Sequence, residues 1–172
     1  MDYCDKALIA SNILVGGILS LKELPKGSAW TVITLLSNER LVLMIQMSLA
    51  GSPHHHVVWN IADKSGSIFL CDNLLRVLKE IDNAFLSNQP CLIHCAQGQS
   101  RSVAVCAAWL ISRKHRGNLE DALTAIRIAR PDAHPNLGFV AALKAIERSG
   151  GNVEKAIESW NSMARRRESE LS

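Results

Sequence analysis

This chain is poor in aromatic residues, has no disulfide framework and no long apolar run, and carries little net charge of either sign. Each shortage excludes a class of protein. Aromatics make up 5% of the residues, with Tyr3 the single tyrosine. The five cysteines, Cys4, Cys71, Cys91, Cys95 and Cys106, form an odd set without framework spacing, which suits a reducing compartment. No Cys-x2-Cys pair occurs, so a zinc cluster is not expected. No apolar stretch approaches the ~20 residues of a membrane span. The start, Met1-Asp2-Tyr3-Cys4-Asp5-Lys6, has neither the basic opening nor the apolar core of a secretory signal, and neither end carries a lipidation motif. A net charge of +3 does not by itself point to nucleic acid. The expectation is a cytoplasmic or nuclear protein that binds neither membrane nor nucleic acid. With 172 residues, 48% apolar and 20% charged, the chain suits one compact domain with a sizeable core.

What is present is concentrated in one stretch, His94-Cys95-Ala96-Gln97-Gly98-Gln99-Ser100-Arg101-Ser102. The apolar run Cys91-Leu92-Ile93 precedes it and Val103–Ile111 follows, an order that reads as strand, tight loop and helix. Loop amides at a helix N-terminus form a nest for an anion. The same positive environment lowers the pKa of a thiol from about 8.5 toward roughly 3.5–7.5, so Cys95 is expected to be a thiolate nucleophile. The planar fork of Arg101 can hold two oxygens of a phosphoryl group and tighten as charge develops there. Gly98 sits where the backbone needs positive φ or a close approach. Ser102 is placed to donate a hydroxyl hydrogen bond to the sulfur.

These residues resemble the signature of the cysteine-dependent protein phosphatases, His-Cys-x-x-Gly-x-x-Arg-Ser/Thr, and within them the small, atypical dual-specificity group. The resemblance extends over roughly residues 7 to 148. Ile13-Leu14-Val15-Gly16-Gly17 is similar to the family's opening strand, and Pro135-Asn136-Leu137-Gly138-Phe139 to its Pro-Asn-x-Gly-Phe segment. The resemblance implies an active phosphatase that works through a cysteinyl phosphate and needs no cofactor and no metal. The phosphate-binding loop would be Ala96, Gln97, Gly98, Gln99, Ser100 and Arg101. It also implies that Asn136 braces this loop, although locally Asn136 reads equally well as a helix N-cap. His94 reads as a structural support for the loop, with a catalytic base as the weaker alternative.

Phosphate-ester cleavage needs a group that protonates the leaving oxygen and later deprotonates water. Asp63 follows the expected strand Val57–Ile61 in the loop Ala62-Asp63-Lys64-Ser65-Gly66-Ser67, where the family's general acid falls. Asp72 reads instead as the N-cap of an amphipathic helix that contains Asp82.

The order of elements predicts an α/β fold with a central mixed sheet. The resemblance implies a mostly parallel sheet flanked by helices in a protein-tyrosine-phosphatase-like three-layer arrangement. Strands are expected at Ile13–Val15, Thr31–Leu35, Val57–Ile61 and Cys91–His94. Lys22-Glu23-Leu24 suggests a short helical turn. Glu39–Leu49 is continuously apolar enough to be strand or helix, and helix is preferred. Asn73–Leu86, Leu119–Ala129 and a segment from Leu137 read as amphipathic helices. After Gly150-Gly151, Val153, Ala156, Ile157, Trp160, Met163 and Ala164 recur at helical spacing, with Arg165-Arg166-Arg167 at the end of that helix. Residues 1–150 are thus expected to form the catalytic domain. Residues 151–172 are expected to form a C-terminal helix and basic tail packed on it, a partner contact through that helix being the alternative. His54-His55-His56 follows a turn and enters a strand, where neighbouring side chains diverge, so it reads as a surface run and not a metal site.

The loop spacers Ala96, Gln97, Gln99 and Ser100 carry no charge, which argues against polyanionic head groups. With no aromatic wall evident, a shallow site for phosphotyrosine and phosphoserine or phosphothreonine on a phosphorylated protein is the expected function. A phosphatase for a lipid, carbohydrate or nucleotide phosphate, and a non-catalytic phosphate-binding module, stay open. Cys95 should oxidise readily, with Cys91 and Cys106 as candidate resolving thiols.

Overall fold

The alternation of side chains along each strand determines the architecture. In the computed structural model, which describes residues 5–25, 27–64, 69–115 and 117–170, five strands form one sheet. They are β1 (Lys6–Ala10), β2 (Ile13–Gly16), β3 (Thr31–Leu35), β4 (His55–Trp59) and β5 (Cys91–His94), in the order β1-β2-β5-β3-β4. β1 and β2 pair antiparallel through the Ser11-Asn12 turn, and the other three pairings are parallel. Tyr3, Cys4 and the loop residues Ser65, Gly66 and Ser67 lie outside the described residues.

One face of the sheet carries Ile13, Val15, Ile33, Leu35, Cys91 and Ile93, all in the main core. Helices α2 (Asp72–Leu86), α3 (Arg101–Ser112), α4 (Leu119–Ala129), α5 (Leu137–Arg148) and α6 (Val153–Glu170) supply that core with residues including Leu78, Trp109, Ile126, Phe139 and Ile157. α3 is buried along nearly its whole length, which explains why Val103–Ile111 has no polar stripe. The opposite face presents Leu14, Val32 and Leu92 to a smaller cluster with Trp30, Leu21, Leu24 and Leu49. Leu49 ends α1 (Glu39–Leu49), and Leu21 belongs to a 3-10 helix at Ile18–Glu23. Helices thus cover both faces of a mixed, mostly parallel sheet.

Several expectations shift. Ile13–Gly16 is the second strand, because Lys6–Ala10 precedes it as a half-buried edge strand. β4 begins at His55 and ends at Trp59, two residues earlier than expected, since it pairs with β3 from Thr31↔His55 to Leu35↔Trp59 and ends with it. α2 begins at Asp72 itself, with Cys71 at the cap position, so Asp72 is not the N-cap. The first helical turn occupies Ile18–Glu23, not Lys22–Leu24. Val153, Ala156 and Ile157 are buried in the main core, and α6 continues through Arg165-Arg166-Arg167 to Glu170.

Candidate active site

β5 ends at His94 and α3 begins at Arg101, so the six residues from Cys95 to Ser100 make the turn between them. Four main-chain carbonyls on this turn are directed to partners outside it or at its start. Cys95 O faces His94 Nδ1 at 3.4 Å, Ala96 O accepts from Ile18 N at 3.1 Å, and Gln99 O accepts from His134 N at 2.8 Å. Gln97 O accepts from Arg130 Nη2 at 2.7 Å. In a planar trans peptide, a carbonyl turned out sends the next N–H the opposite way. The Gly98 N–H accordingly donates to Cys95 Sγ at 3.2 Å. Gly98 has φ +72°, and a Cβ there would come within 2.5 Å of the Gly16 carbonyl carbon. Both reasons for a glycine hold at once.

Cys95 is 2% exposed. Burial pushes its thiol pKa up. The Ser102 hydroxyl and backbone N–H, the Arg101 charge and the Gly98 N–H together outweigh burial and hold it below the ordinary thiol value. Ser102 Oγ lies 3.3 Å from Sγ. The ring of His94 is fully buried, with Nε2 2.7 Å from Thr34 Oγ1, and burial takes its pKa down to about 4. His94 is therefore a neutral support beneath the loop at pH 7.

Arg101 is buried and donates from Nη1 to Ile61 O at 3.2 Å. Its Nε is buried and has no hydrogen-bond partner among the described residues, the nearest carboxylate oxygen, Asp63 Oδ2, being 3.7 Å away. A buried guanidinium nitrogen without a partner beside a ring of amides is suited to receive an anion. Asp63 and Arg101 both line a pocket of about 260 Å3, together with Cys95, Gln97, Gln99 and His134. Asp63 Oδ1 accepts from Ser100 Oγ and from Asn136 Nδ2, each at 2.7 Å. Oδ2 takes part in neither of these bonds and lies toward Arg101 Nε.

Asn136 performs three tasks. Its Oδ1 accepts from Phe139 N at 3.0 Å and caps α5, its Nδ2 holds Asp63, and its backbone N–H donates to Ser100 Oγ at 3.2 Å. The side chain thus braces the aspartate, and the loop itself is reached by the backbone.

The other candidates lie elsewhere. Asp72 is exposed at the start of α2. Asp82 is occupied by the Trp109 indole N–H at 2.9 Å and by the Arg113 guanidinium. The three histidines take separate partners. His54 Nδ1 accepts from Trp30 N, His55 pairs with Glu80 at 3.1 Å, and His56 lies half-buried against Thr34. Among the described residues, no group of three or more His, Cys, Asp or Glu could hold a metal. Cys91 stands at the far end of β5, about 13 Å from Cys95 at ~3.3 Å per residue, beyond the reach of a disulfide. Cys106 is fully buried on α3, and burial pushes its thiol well above the ordinary value.

Arg130 and Asp5 escaped the sequence reading. Arg130 Nη1 donates to Asp5 O at 2.7 Å while Nη2 holds Gln97 O, which ties the residue before β1 to the loop. Its Nε is an ion-pair neighbour of Asp132 Oδ1 at 3.3 Å without hydrogen-bond alignment. Asp5 also accepts from the Ser20 N–H at 3.1 Å. Their 125-residue separation leaves no local signal.

Cys95, Arg101 and Asp63 thus line one pocket where β5 meets α3, with the Gly98 N–H and the Ser102 hydroxyl on the sulfur. The family described as dual specificity phosphatase, catalytic domain, matches residues 38–149, and the chain belongs to it. Dual specificity phosphatase 28 of Mus musculus is 48% identical over 60 residues, which are 34% of this chain and 36% of that protein. Dual specificity protein phosphatase 22 of Mus musculus is 40% identical over 80 residues, 44% of this chain and 43% of that protein. The chain thus matches well under half the length of these curated relatives. A mouse putative dual specificity phosphatase complexed with zinc tungstate superposes with a TM-score of 0.71 at 23% identity, over 86% of this chain and 89% of that one. Among the described residues, no helix is long and apolar enough to cross a membrane.

Proposed function

We propose that this chain hydrolyses phosphotyrosine and phosphoserine or phosphothreonine on phosphorylated proteins through a Cys95 phosphoenzyme. The observation that carries the proposal is the arrangement around the sulfur, with the Ser102 hydroxyl at 3.3 Å, the Gly98 N–H at 3.2 Å, and Arg101 and Asp63 lining the same pocket. In the first step the Cys95 thiolate attacks phosphorus. The S–P bond forms, the P–O ester bond breaks, and the leaving oxygen takes the proton from Asp63 Oδ2. In the second step water attacks phosphorus and gives its proton to Asp63. The S–P bond breaks, inorganic phosphate departs, and Ser102 stabilises the returning thiolate. Arg101 and the loop N–H groups stabilise the charge on the equatorial oxygens in both steps.

The lining supports this substrate class. Arg101 is the one lysine or arginine in it, and no Phe, Tyr or Trp takes part among the described residues. A site with one guanidinium suits a single phosphate monoester better than a polyanionic head group. A pocket without an aromatic wall does not require the phosphate to stand at the end of a long ring. The test is a panel of phosphotyrosine, phosphoserine and phosphothreonine peptides against phosphoinositides. Phosphate release from the peptides at rates well above those from the lipids is expected. Release from the lipids alone would overturn the substrate assignment.

A further inference from the structure

His56 was a surface histidine in the sequence, yet its ring is connected to the nucleophile's own peptide group. On the face of the sheet that carries α1, three neighbouring strands present His56, Thr34 and His94. His56 Nε2 is 2.8 Å from Thr34 Oγ1, which is 2.7 Å from His94 Nε2, and His94 Nδ1 is 3.4 Å from Cys95 O. The register places Thr34 opposite His94, with His56 on the next strand opposite Val32.

Proton counting gives this chain a single direction. A carbonyl oxygen can only accept, so His94 Nδ1 carries the hydrogen that faces Cys95 O. Burial lowers His94 to about 4, so near neutral pH the ring is uncharged and its Nε2 is a bare acceptor. The one hydroxyl hydrogen of Thr34 must then go to His94 Nε2. Thr34 Oγ1 is left to accept, and His56 Nε2–H is the donor that faces it. His56 itself is held below its ordinary value by burial and then by His55. Protonation at its Nδ1 would leave the Nε2–H donor in place.

We propose that His56 is a positioning residue for Cys95, acting through Thr34 and His94 to fix the Cys95–Ala96 peptide plane that opens the anion cradle. The consequence runs through covalent geometry. Holding Cys95 O toward His94 turns the Ala96 N–H the opposite way, since the two lie antiparallel across a planar peptide. With Thr34 unheld, its hydroxyl can rotate off His94, and the His94 ring loses the partner that selects its tautomer. The effect on rate rests on the proposed phosphatase reading, whereas the effects on the tautomer and on the thiol do not.

Three measurements on the full chain test this. Nitrogen-15 NMR of the histidine rings should show His94 as the Nδ1–H tautomer and His56 as Nε2–H near pH 7. His94 found as Nε2–H would overturn the proposal without any variant. The pH midpoint of Cys95 alkylation by iodoacetamide should rise in H56L by about half to one pH unit, the three- to tenfold change expected for one lost hydrogen bond. H56Q keeps an N–H donor and should restore the wild-type midpoint. T34V should reproduce the H56L shift and T34S should not. Equal shifts in H56Q and H56L, or no shift in either with melting unchanged, would overturn the proposal. With an aryl phosphate, kcat should fall in H56L by the same three- to tenfold while KM stays within about twofold. If the wild-type chain alkylates as described but hydrolyses no phosphate ester, the functional reading fails while the positioning role stands.

Discussion

Two buried cysteines flank β5, one as its first residue and one just past its last, and their chemistry diverges. Cys91 is 0% exposed and Cys95 2%, so burial does not distinguish them. Burial, with the Glu80 charge behind it, pushes the Cys91 thiol up to about 12. Cys106, fully buried on α3, is pushed up the same way, by burial and then by Cys91. Cys95 experiences the same desolvation and still lies below its ordinary value, because Ser102, Arg101 and Gly98 all favour the anion. An apolar environment alone favours the neutral thiol, whereas several donors converging on the sulfur favour the thiolate. The chain achieves the difference within four residues of backbone.

The most severe way to break the comparison is to remove the sulfur. C95S should lose turnover by at least about 10^4-fold while still binding vanadate, whereas C91S should keep its rate. Retained turnover in C95S, measured by phosphate release, would place the nucleophile elsewhere. Next comes the group facing the sulfur. D63N should lower kcat by about 10^2- to 10^4-fold with KM little changed. A D63N enzyme at full rate, beside an inactive D72N, would contradict the acid assignment. A smaller effect is expected from S102A, which removes the first of the donors that offset burial. Its kcat should fall about tenfold, with slow release of phosphate from the phosphoenzyme, visible as a burst in stopped-flow traces. A change of another kind concerns stability. His94 binds its proton near pH 4 in the folded chain against 6.5 as a free side chain. The unfolded chain therefore takes up more protons between those values. This contribution is fully present above pH 6.5 and is lost as pH falls toward 4, about 3 kcal/mol in all. Urea midpoints should fall across that window, and H94N should flatten the fall.

How much of this could be read from the residues depended on distance along the chain. Leu119–Ala129 was legible because its apolar positions recur at helical spacing, whereas the nearly continuous apolar run Glu39–Leu49 left strand and helix to be chosen between, and it is helix. The cradle was legible because strand, loop and helix follow one another without interruption from Cys91 to Ser112. β4 was misplaced because its first residues are histidines after a turn. Only pairing with β3 makes them strand, and pairing is not written locally. β1 was missed because an edge strand lacks the strong alternation of a buried one. The Asp63 expectation rested on strand order and resemblance. The finding that Asn136 holds Asp63 needed α5 and the β4–α2 loop in the same place. Arg130, which reads as an ordinary cation closing α4, shows the limit, since its partners Asp5 and Gln97 are remote in sequence. His56 was legible as a residue but not as part of a chain of hydrogen bonds, because Thr34 and His94 come from two other strands.

The account depends on the charge of one sulfur atom. The direct measurement is a pH series of iodoacetamide labelling, read cysteine by cysteine by mass spectrometry, with N-acetylcysteine as the free-thiol standard. Cys95 should reach half-maximal rate below the standard, with Cys91 and Cys106 unlabelled throughout in the folded chain. Cys95 labelling at or above the pH of the standard would contradict the thiolate, and with it the proposed nucleophile.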